Sequence, residues 1–311
     1  MIASDELTRQ NEQTTTPRKV VKLRHPGRWV LYAVIAVLLA MFADTLVTNP
    51  NFGWSTVGEY FMSPRILDGL SKTLQLTVIA MISGIVLGVV LAIMRLSTNP
   101  ALSAVSWCYI WFFRGTPVFV QLLFWGYISA LFPVLSLGIP FGPSFFSTDT
   151  NTLITPLVAA ILGLSLNEAA YMAEIVRAGI SSVSKGQVEA AQALGMSRAR
   201  ILRRIILPQA MRVIIPPTGN NTISMLKTTS LVSVLSFPEL LYASQLIYSV
   251  NFKTIPLLLT ASIWYLIVTS VLTAGQYYLE RHFSRSDRTA GPGRLHRLVE
   301  LQRRRGATDG N

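Results

Sequence analysis

From Thr73 to Met94 the chain carries no charged side chain. A run of that length matches the ~20 apolar residues that a helix needs to cross the hydrocarbon core of a bilayer. In hydrocarbon only a backbone that satisfies its own hydrogen bonds persists, and within one segment that means a helix. The first constraint is therefore on fold class: an all-α membrane protein. Five further segments share the pattern, at Trp29–Val47, between Ala104 and Leu137, and at Ile154–Val176, Val213–Phe237 and Ile255–Leu279. Together they predict six transmembrane helices. The third stretch is interrupted by Arg114-Gly115-Thr116-Pro117, and the fifth contains Pro216, Pro217, Gly219, Asn220, Asn221 and Lys227. Gly84 and Gly88 stand at the GxxxG spacing that permits close helix contact. Composition agrees, with 51% hydrophobic and 14% charged residues, where soluble domains carry roughly a quarter charged.

The placement of Lys and Arg gives an orientation. Most of the 27 fall in the first 28 residues, at Arg95, in the loop from Arg177 to Arg212 and in the tail from Arg281. The alternate connections hold only Arg65, Lys72 and Lys253, while Arg114 and Lys227 lie within or at the edge of spans. The positive-inside rule then puts both termini and the 177–212 loop in the cytoplasm, with Asn51 and Thr150 outside. This bias accounts for most of the net charge of +12 without nucleic acid as a partner. Residues 1–28 read as a basic, partly disordered tail, residues 29–47 as an uncleaved signal anchor, and residues 282–311 as a basic tail near anionic membrane lipid. Cys108 sits in an apolar context that suits packing, and His25, His282 and His296 have no metal spacing.

Within the 177–212 loop, Glu189 to Pro208 reads EAAQALGMSRARILRRIILP. Helix formers from Glu189 to Leu194 precede Gly195, a natural helix C-cap. Ser197 is a candidate N-cap for a second helix, which the sequence expects to stop at Pro208. This pattern resembles the EAA loop of the permease subunits of bacterial ABC importers. Glu189, Ala190, Ala191, Gly195, Ile205, Leu207 and Pro208 occupy its motif positions without departure. The resemblance implies that these residues couple the chain to a separate ATPase subunit by docking into a groove on it.

Further segments narrow the resemblance. Arg114-Gly115-Thr116-Pro117 with Gln121 is similar to the R-G-T-P-x-x-x-Q signature of polar amino acid permeases, the histidine/glutamine permease-like family. Asn167 to Gln187 (NEAAYMAEIVRAGISSVSKGQ) resembles another run of that family, and Lys227-Thr228-Thr229-Ser230-Leu231 resembles its Lys-Asp-Thr-Ser-Leu element, with Thr228 in place of Asp. The resemblance spans residues 67–281. It implies a type I ABC importer-like core of five helices, to which the first helix is an addition. It also implies two ATPase copies, a second permease subunit, identical or homologous, and a periplasmic substrate-binding protein, all at the bacterial inner (cytoplasmic) membrane. The chain has no G-x-x-x-x-G-K-[ST] loop, so ATP would be used by the partner; this chain is expected to bind no cofactor and no metal and to catalyse nothing.

Arg114, Gln121, Asn167, Glu168, Tyr171, Asn220 and Lys227 are candidates for the translocation path, and each has a plainer structural role. Glu168 either pairs with Arg114 or Lys227 or lines the path, since an intramembrane charge faces a partner or a cavity. Gln121 and Tyr171 either line the path or bind helices together. Glu174 and Arg177, three apart on a helix, suit a local ion pair. The rival function is an ion-gradient-driven secondary transporter, with Glu168, Arg114 and Lys227 as coupling groups.

Overall fold

A computed structural model describes residues 27–139 and 143–284. The expectations for residues 1–26 and 285–311 fall outside the described residues. The chain divides into two compact units, Met1–Phe52 and Gly53–Asn311. In the first, α1 (Gly27–Thr48) is apolar around its whole circumference and long enough to cross a membrane.

The second unit runs α2 (Trp54–Phe61), α3 (Pro64–Arg95), α4 (Pro100–Gly115), α5 (Val118–Gly126), α6 (Ile128–Leu131), β1 (Val134–Gly138), β2 (Ser144–Asp149), α7 (Thr150–Leu153) and α8 (Pro156–Ser181). It continues through α9 (Lys185–Ala193), α10 (Arg198–Ile201), a π turn (Leu202–Ile206), α11 (Leu207–Thr228), a 3-10 segment (Thr229–Leu235), α12 (Leu240–Asn251) and α13 (Thr254–Ser284).

Four helices are long and apolar enough to span a membrane (α1, α3, α8 and α13). The segments Arg198–Leu235 and Leu240–Asn251, bent by 45° at their junction, make a fifth if they count as one broken span. By length and composition the described residues thus supply four or five such spans, and the expected count of six is not confirmed. The stretch between Ala104 and Leu137 is not one helix. Pro117 pushes the preceding residue out of the helical region, and Thr116 is extended at φ −110°, ψ 141°. This splits the stretch into α4 and α5. Its far end leaves helix altogether. Preceded by Pro133 and Pro143 respectively, β1 and β2 pair antiparallel from Val134↔Asp149 to Gly138↔Ser144, the one strand pair among the described residues.

The core is the parallel packing of α3 on α8. A Cβ built on Gly84 would lie 2.8 Å from the Cβ of Glu168, and one on Gly88 would lie 2.5 Å from the Cβ of Met172. Only glycine fits at that approach, so the GxxxG pair does bring two helices into close contact. One turn further on, Ala92 packs with Met172 and Val176. Ser106 on α4 donates to the Leu91 carbonyl at 2.7 Å, and Tyr109 donates to the Leu166 carbonyl at 2.9 Å, which fastens α4 across both helices. Because α3 and α8 run the same way, Arg95 and the loop after α8 share one end of the bundle. Arg65 and Lys253 share the other, where Lys253 Nζ donates to Thr56 at 3.2 Å.

The break between the 3-10 segment and α12 is held by a buried carboxylate. Glu239 caps α12, accepting from the Leu241 and Tyr242 amides at 2.8 and 2.7 Å and from the Tyr265 hydroxyl at 3.0 Å. Just before it, Ser236 has a left-handed φ of 57°.

Candidate functional site

The loop joining α8 to α11 is built around Gly195. At the end of α9 the Met196 amide donates to Ala191 O at 3.1 Å and the Gly195 amide to Gln192 O at 2.9 Å. Those two bonds form a Schellman motif, which needs a left-handed residue at the glycine, and Gly195 has φ +73°. The helix stop expected from sequence is therefore formed. Ser197 does precede α10, but its hydroxyl makes no capping bond.

The expected stop at Pro208 is not formed. Proline removes the N–H that would have reached four residues back, and its ring crowds the carbonyl there. The chain passes this point with a π turn, in which the Leu207 amide reaches Leu202 O five residues back. The second arm of the loop is therefore no short helix: α10, the π turn and α11 form one helical path from Arg198 to Thr228. Gln209 braces it to α9, donating to Gln187 Oε1 at 2.6 Å. Of the motif residues, Glu189, Ala190, Leu207 and Pro208 are exposed, Ile205 is half-buried and Ala191 is buried. Leu194, beside Gly195, is 82% exposed.

The interruption at Arg114–Pro117 is a second construction. The Phe113 carbonyl loses its helical donor because Pro117 has no N–H. Two side-chain amides replace it: Gln121 Nε2 at 3.0 Å and Asn167 Nδ2 at 2.9 Å. Gln121 Nε2 also reaches Thr116 O at 3.1 Å and Thr116 Oγ1 at 2.7 Å, while its own Oε1 accepts from Asn167 at 3.3 Å. Gln121 and Asn167 thus stitch the α4–α5 break to α8.

One residue along α8, Glu168 is 6% exposed and accepts from Asn221 Nδ2 at 2.9 Å. This bond links α8 to α11, and Glu168 pairs with neither Arg114 nor Lys227. Arg114 is exposed and lies over the Tyr171 ring, 5.3 Å from its centroid. Lys227 and Asn220 are exposed on α11. Glu174 and Arg177 form the expected ion pair, with Arg177 Nη2 donating to Glu174 Oε2 at 2.7 Å. Among the described residues no group of His, Cys, Asp and Glu side chains could hold a metal ion.

Sequence reasoning passed over two residues beside this set. Ser165, three before Glu168 and so on the same face of α8, has a buried hydroxyl with no protein hydrogen-bond partner. Thr218 on α11 donates to Ile214 O at 2.8 Å and lies 3.8 Å from Met172 Sδ. A small hydroxyl facing across a helix pair leaves no trace in an apolar sequence, although the spacing of Ser165 from an intramembrane glutamate is a usable signal.

The model of the family described as "Binding-protein-dependent transport system inner membrane component" matches residues 84–285. The chain is 48% identical to the arginine transport system permease protein ArgU of Corynebacterium glutamicum over 299 residues, 95% of this chain and 92% of that one. It is 37% identical to the nopaline transport system permease protein NocM of Agrobacterium fabrum, over 68% of this chain and 84% of that one. Among solved structures, an amino acid ABC transporter crystallised with histidines is 35% identical and superposes with a TM-score of 0.59, over 70% of this chain and 94% of its own. A match that covers 95% of the chain extends into α1, which matches covering about 70% need not reach.

Proposed function

This chain belongs to the family of inner membrane components of binding-protein-dependent transport systems, and from that premise we propose that it is the translocating permease subunit of an ATP-driven importer of polar amino acids, cationic ones included. The relatives named for arginine and nopaline transport, and the structural neighbour crystallised with histidines, support this substrate class. The loop through Gly195 faces the cytoplasm and seats in an ATPase subunit. Two such ATPase subunits bind and hydrolyse ATP, and a periplasmic binding protein delivers the amino acid at the opposite face. A second permease subunit completes the pore.

The observation that carries this proposal is the unbroken helical path from Arg198 to Thr228. It joins the loop at one end to Asn221 at the other, where Asn221 holds the buried Glu168. Closing the ATPase pair on ATP moves the loop, and the α10–α11 path carries that motion to the α8–α11 contact. Glu168, with Ser165 one turn away, then lies where a translocated ammonium or cationic side chain passes. Tyr171, one turn along the same helix, has Arg114 over its ring, and Gln121 and Asn167 keep the adjacent break rigid.

The test is uptake into proteoliposomes that contain the permease, its ATPase and the binding protein. Uptake of a labelled cationic amino acid should require internal ATP and all three components. Uptake that tracks an imposed proton or sodium gradient without ATP would overturn the proposal.

A further inference from the structure

Among the described residues two carboxylates are buried inside the bundle, Glu168 and Glu239. Glu239 has no exposed surface, and the three groups that donate to it are neutral: the Leu241 amide, the Tyr242 amide and the Tyr265 hydroxyl. The first two bonds cap α12. Capping does not call for glutamate, because a short side chain reaches the first-turn amides, and Ser, Thr, Asp and Asn are the residues favoured there. Glutamate is one methylene longer than aspartate. Here its Oε1 takes the Tyr242 amide, and its Oε2 takes both the Leu241 amide and the Tyr265 hydroxyl. The choice of residue is explained by Tyr265 and not by the cap.

Tyr265 ties the bend of the broken span to the rest of the bundle. The Thr73 hydroxyl of α3 and the Thr229 hydroxyl at the start of the 3-10 segment lie close to its own, and neither threonine has any exposed surface. The residue before it, Trp264, stacks on Phe61 with ring centroids 4.7 Å apart and donates to the Phe61 carbonyl at 2.9 Å, which anchors α13 on α2. On its other side α12 is seated on α3. The Leu240 amide donates to the Thr73 hydroxyl at 3.0 Å, and a Cβ on Gly69 would lie 2.7 Å from the Cβ of Ala243 and 3.1 Å from the Cα of Leu240. The far end of the α11 path enters this packed group through the 3-10 segment, and Ser236, at a left-handed φ of 57°, makes the turn toward α12.

We propose that Glu239 is a positioning residue for translocation: its bond to Tyr265 holds α12 on α13 while α11 moves, so that motion of the Gly195 loop turns α11 and does not drag the whole broken span. This role rests on the reading of the chain as an ATP-driven importer, and it gives Glu239 no contact with the amino acid. Without the bond the second arm of the span follows the first. ATP hydrolysis then continues, but fewer of its cycles displace Asn221 from Glu168, and fewer amino acids cross per ATP.

The experiment uses the assembled importer in proteoliposomes, with uptake of labelled arginine and ATP hydrolysis measured on the same preparation. The readout is amino acid transported per ATP hydrolysed. Tyr265→Phe removes the bond and leaves the cap, and should lower that ratio about tenfold, the scale of losing a hydrogen bond to a charged group. Glu239→Asp keeps a good cap but falls short of Tyr265, and should lower it to a similar extent. Thr273→Val, which removes an exposed hydroxyl from the same helix, should leave it at the wild-type value; an equal fall there would overturn the proposal. A role confined to folding lowers uptake and hydrolysis together, so a wild-type ratio in Tyr265→Phe or Glu239→Asp also overturns it. If neither variant assembles, hydrogen exchange on the wild-type importer decides. Residues 240–251 should exchange equally slowly with and without ATP, and faster exchange during turnover would mean that α12 is not held. Wild type that takes up arginine without ATP would instead bring down the importer reading itself.

Discussion

Substitutions at Gly195 separate two roles that the loop would combine. Its φ of +73° lies in the left-handed region, and an added Cβ would meet nothing within 4 Å. Gly195→Ala therefore strains only the backbone, by about 1–2 kcal/mol. Asn and Asp visit that region more readily, so Gly195→Asn and Gly195→Asp cost the isolated permease less. Their side chains project away from the chain, beside exposed Leu194 and toward the proposed ATPase groove. An unpaired charge buried there costs on the order of 3 kcal/mol, which is about a hundredfold in ATPase retention at 1.4 kcal/mol per decade. Two rank orders result, and they differ. Melting of the permease alone should rank Ala lowest, with Asn and Asp between it and wild type. Co-purification of the ATPase and substrate-stimulated ATP hydrolysis should rank Asp lowest and Asn next, with Ala nearest wild type. Retention that simply tracks the melting order would refute the docking argument, because the damage would then come from the backbone. Full retention by Gly195→Asp would refute it more directly.

Four further outcomes are expected. Gly88→Ala should lower permease stability by about 1–3 kcal/mol through overpacking against Met172, measured by thermal melting, whereas Gly58→Ala, where a Cβ meets nothing within 4 Å, should not. Gln121→Leu should cost about 1–3 kcal/mol by leaving carbonyls at the α4–α5 break short of donors; melting equal to wild type would mean that Asn167 suffices. Glu168→Gln keeps the acceptor for Asn221 while removing the charge, so uptake of a cationic amino acid should fall with the ATPase still bound; unchanged uptake would make Glu168 a structural group. In a Cys108→Ser background, cysteines at Asn51 and Phe145 should react with an impermeant reagent from outside the cell. Thr150, also expected outside, is unsuitable for labelling because it is fully buried and donates to the Phe132 carbonyl.

Much of the helical content was legible because apolar length is a blunt signal. The uncharged run at Thr73–Met94 lies within α3, and the Gly84/Gly88 spacing did mark a close helix contact at the centre of the core. Proline was read correctly as an interruption at Pro117 and misread as a stop at Pro208. At Pro117 one missing N–H and an extended Thr116 split a span that hydropathy alone would have joined. At Pro208 the same deficit was expected to end a helix, yet the chain ran on through a π turn. The backbone before each proline separates the two cases: Thr116 is extended, whereas Leu207 stays helical at φ −58°, ψ −45°. At Pro117 the freed carbonyl found Gln121 and Asn167, so the break could remain. At Pro208 the ladder shifts by one residue, with the Leu207 amide on Leu202 O, and the Gln209 side chain adds a bond to Ile205 O at 3.0 Å. Sequence patterns register the proline and not the partner that decides its effect. The Glu168–Asn221 bond was hidden for a related reason: the expected partners were charged, and the actual one is an amide 53 positions away.

The π turn bears on how the loop could act on the membrane core. A π turn holds one residue more than an α turn, so it offsets the face of α10 relative to α11 without breaking the helix. From Arg198 to Asn221 the path extends roughly 35 Å at 1.5 Å per residue. A hinge at Pro208 would absorb displacement of the loop before it reached the span. A continuous helix, braced to α9 through Gln209 and Gln187, passes it on. The α8–α11 contact is close already near the loop: a Cβ on Gly179 would lie 2.4 Å from Ile214, so α11 cannot move toward α8 there without clash. Rotation or sliding of α11 is left as the permitted motion, and Asn221 is the group on α11 whose displacement would release the buried Glu168. In that arrangement the Gly195 loop and the partner of the buried carboxylate are two ends of one element, and Gly179 sets how closely that element passes α8.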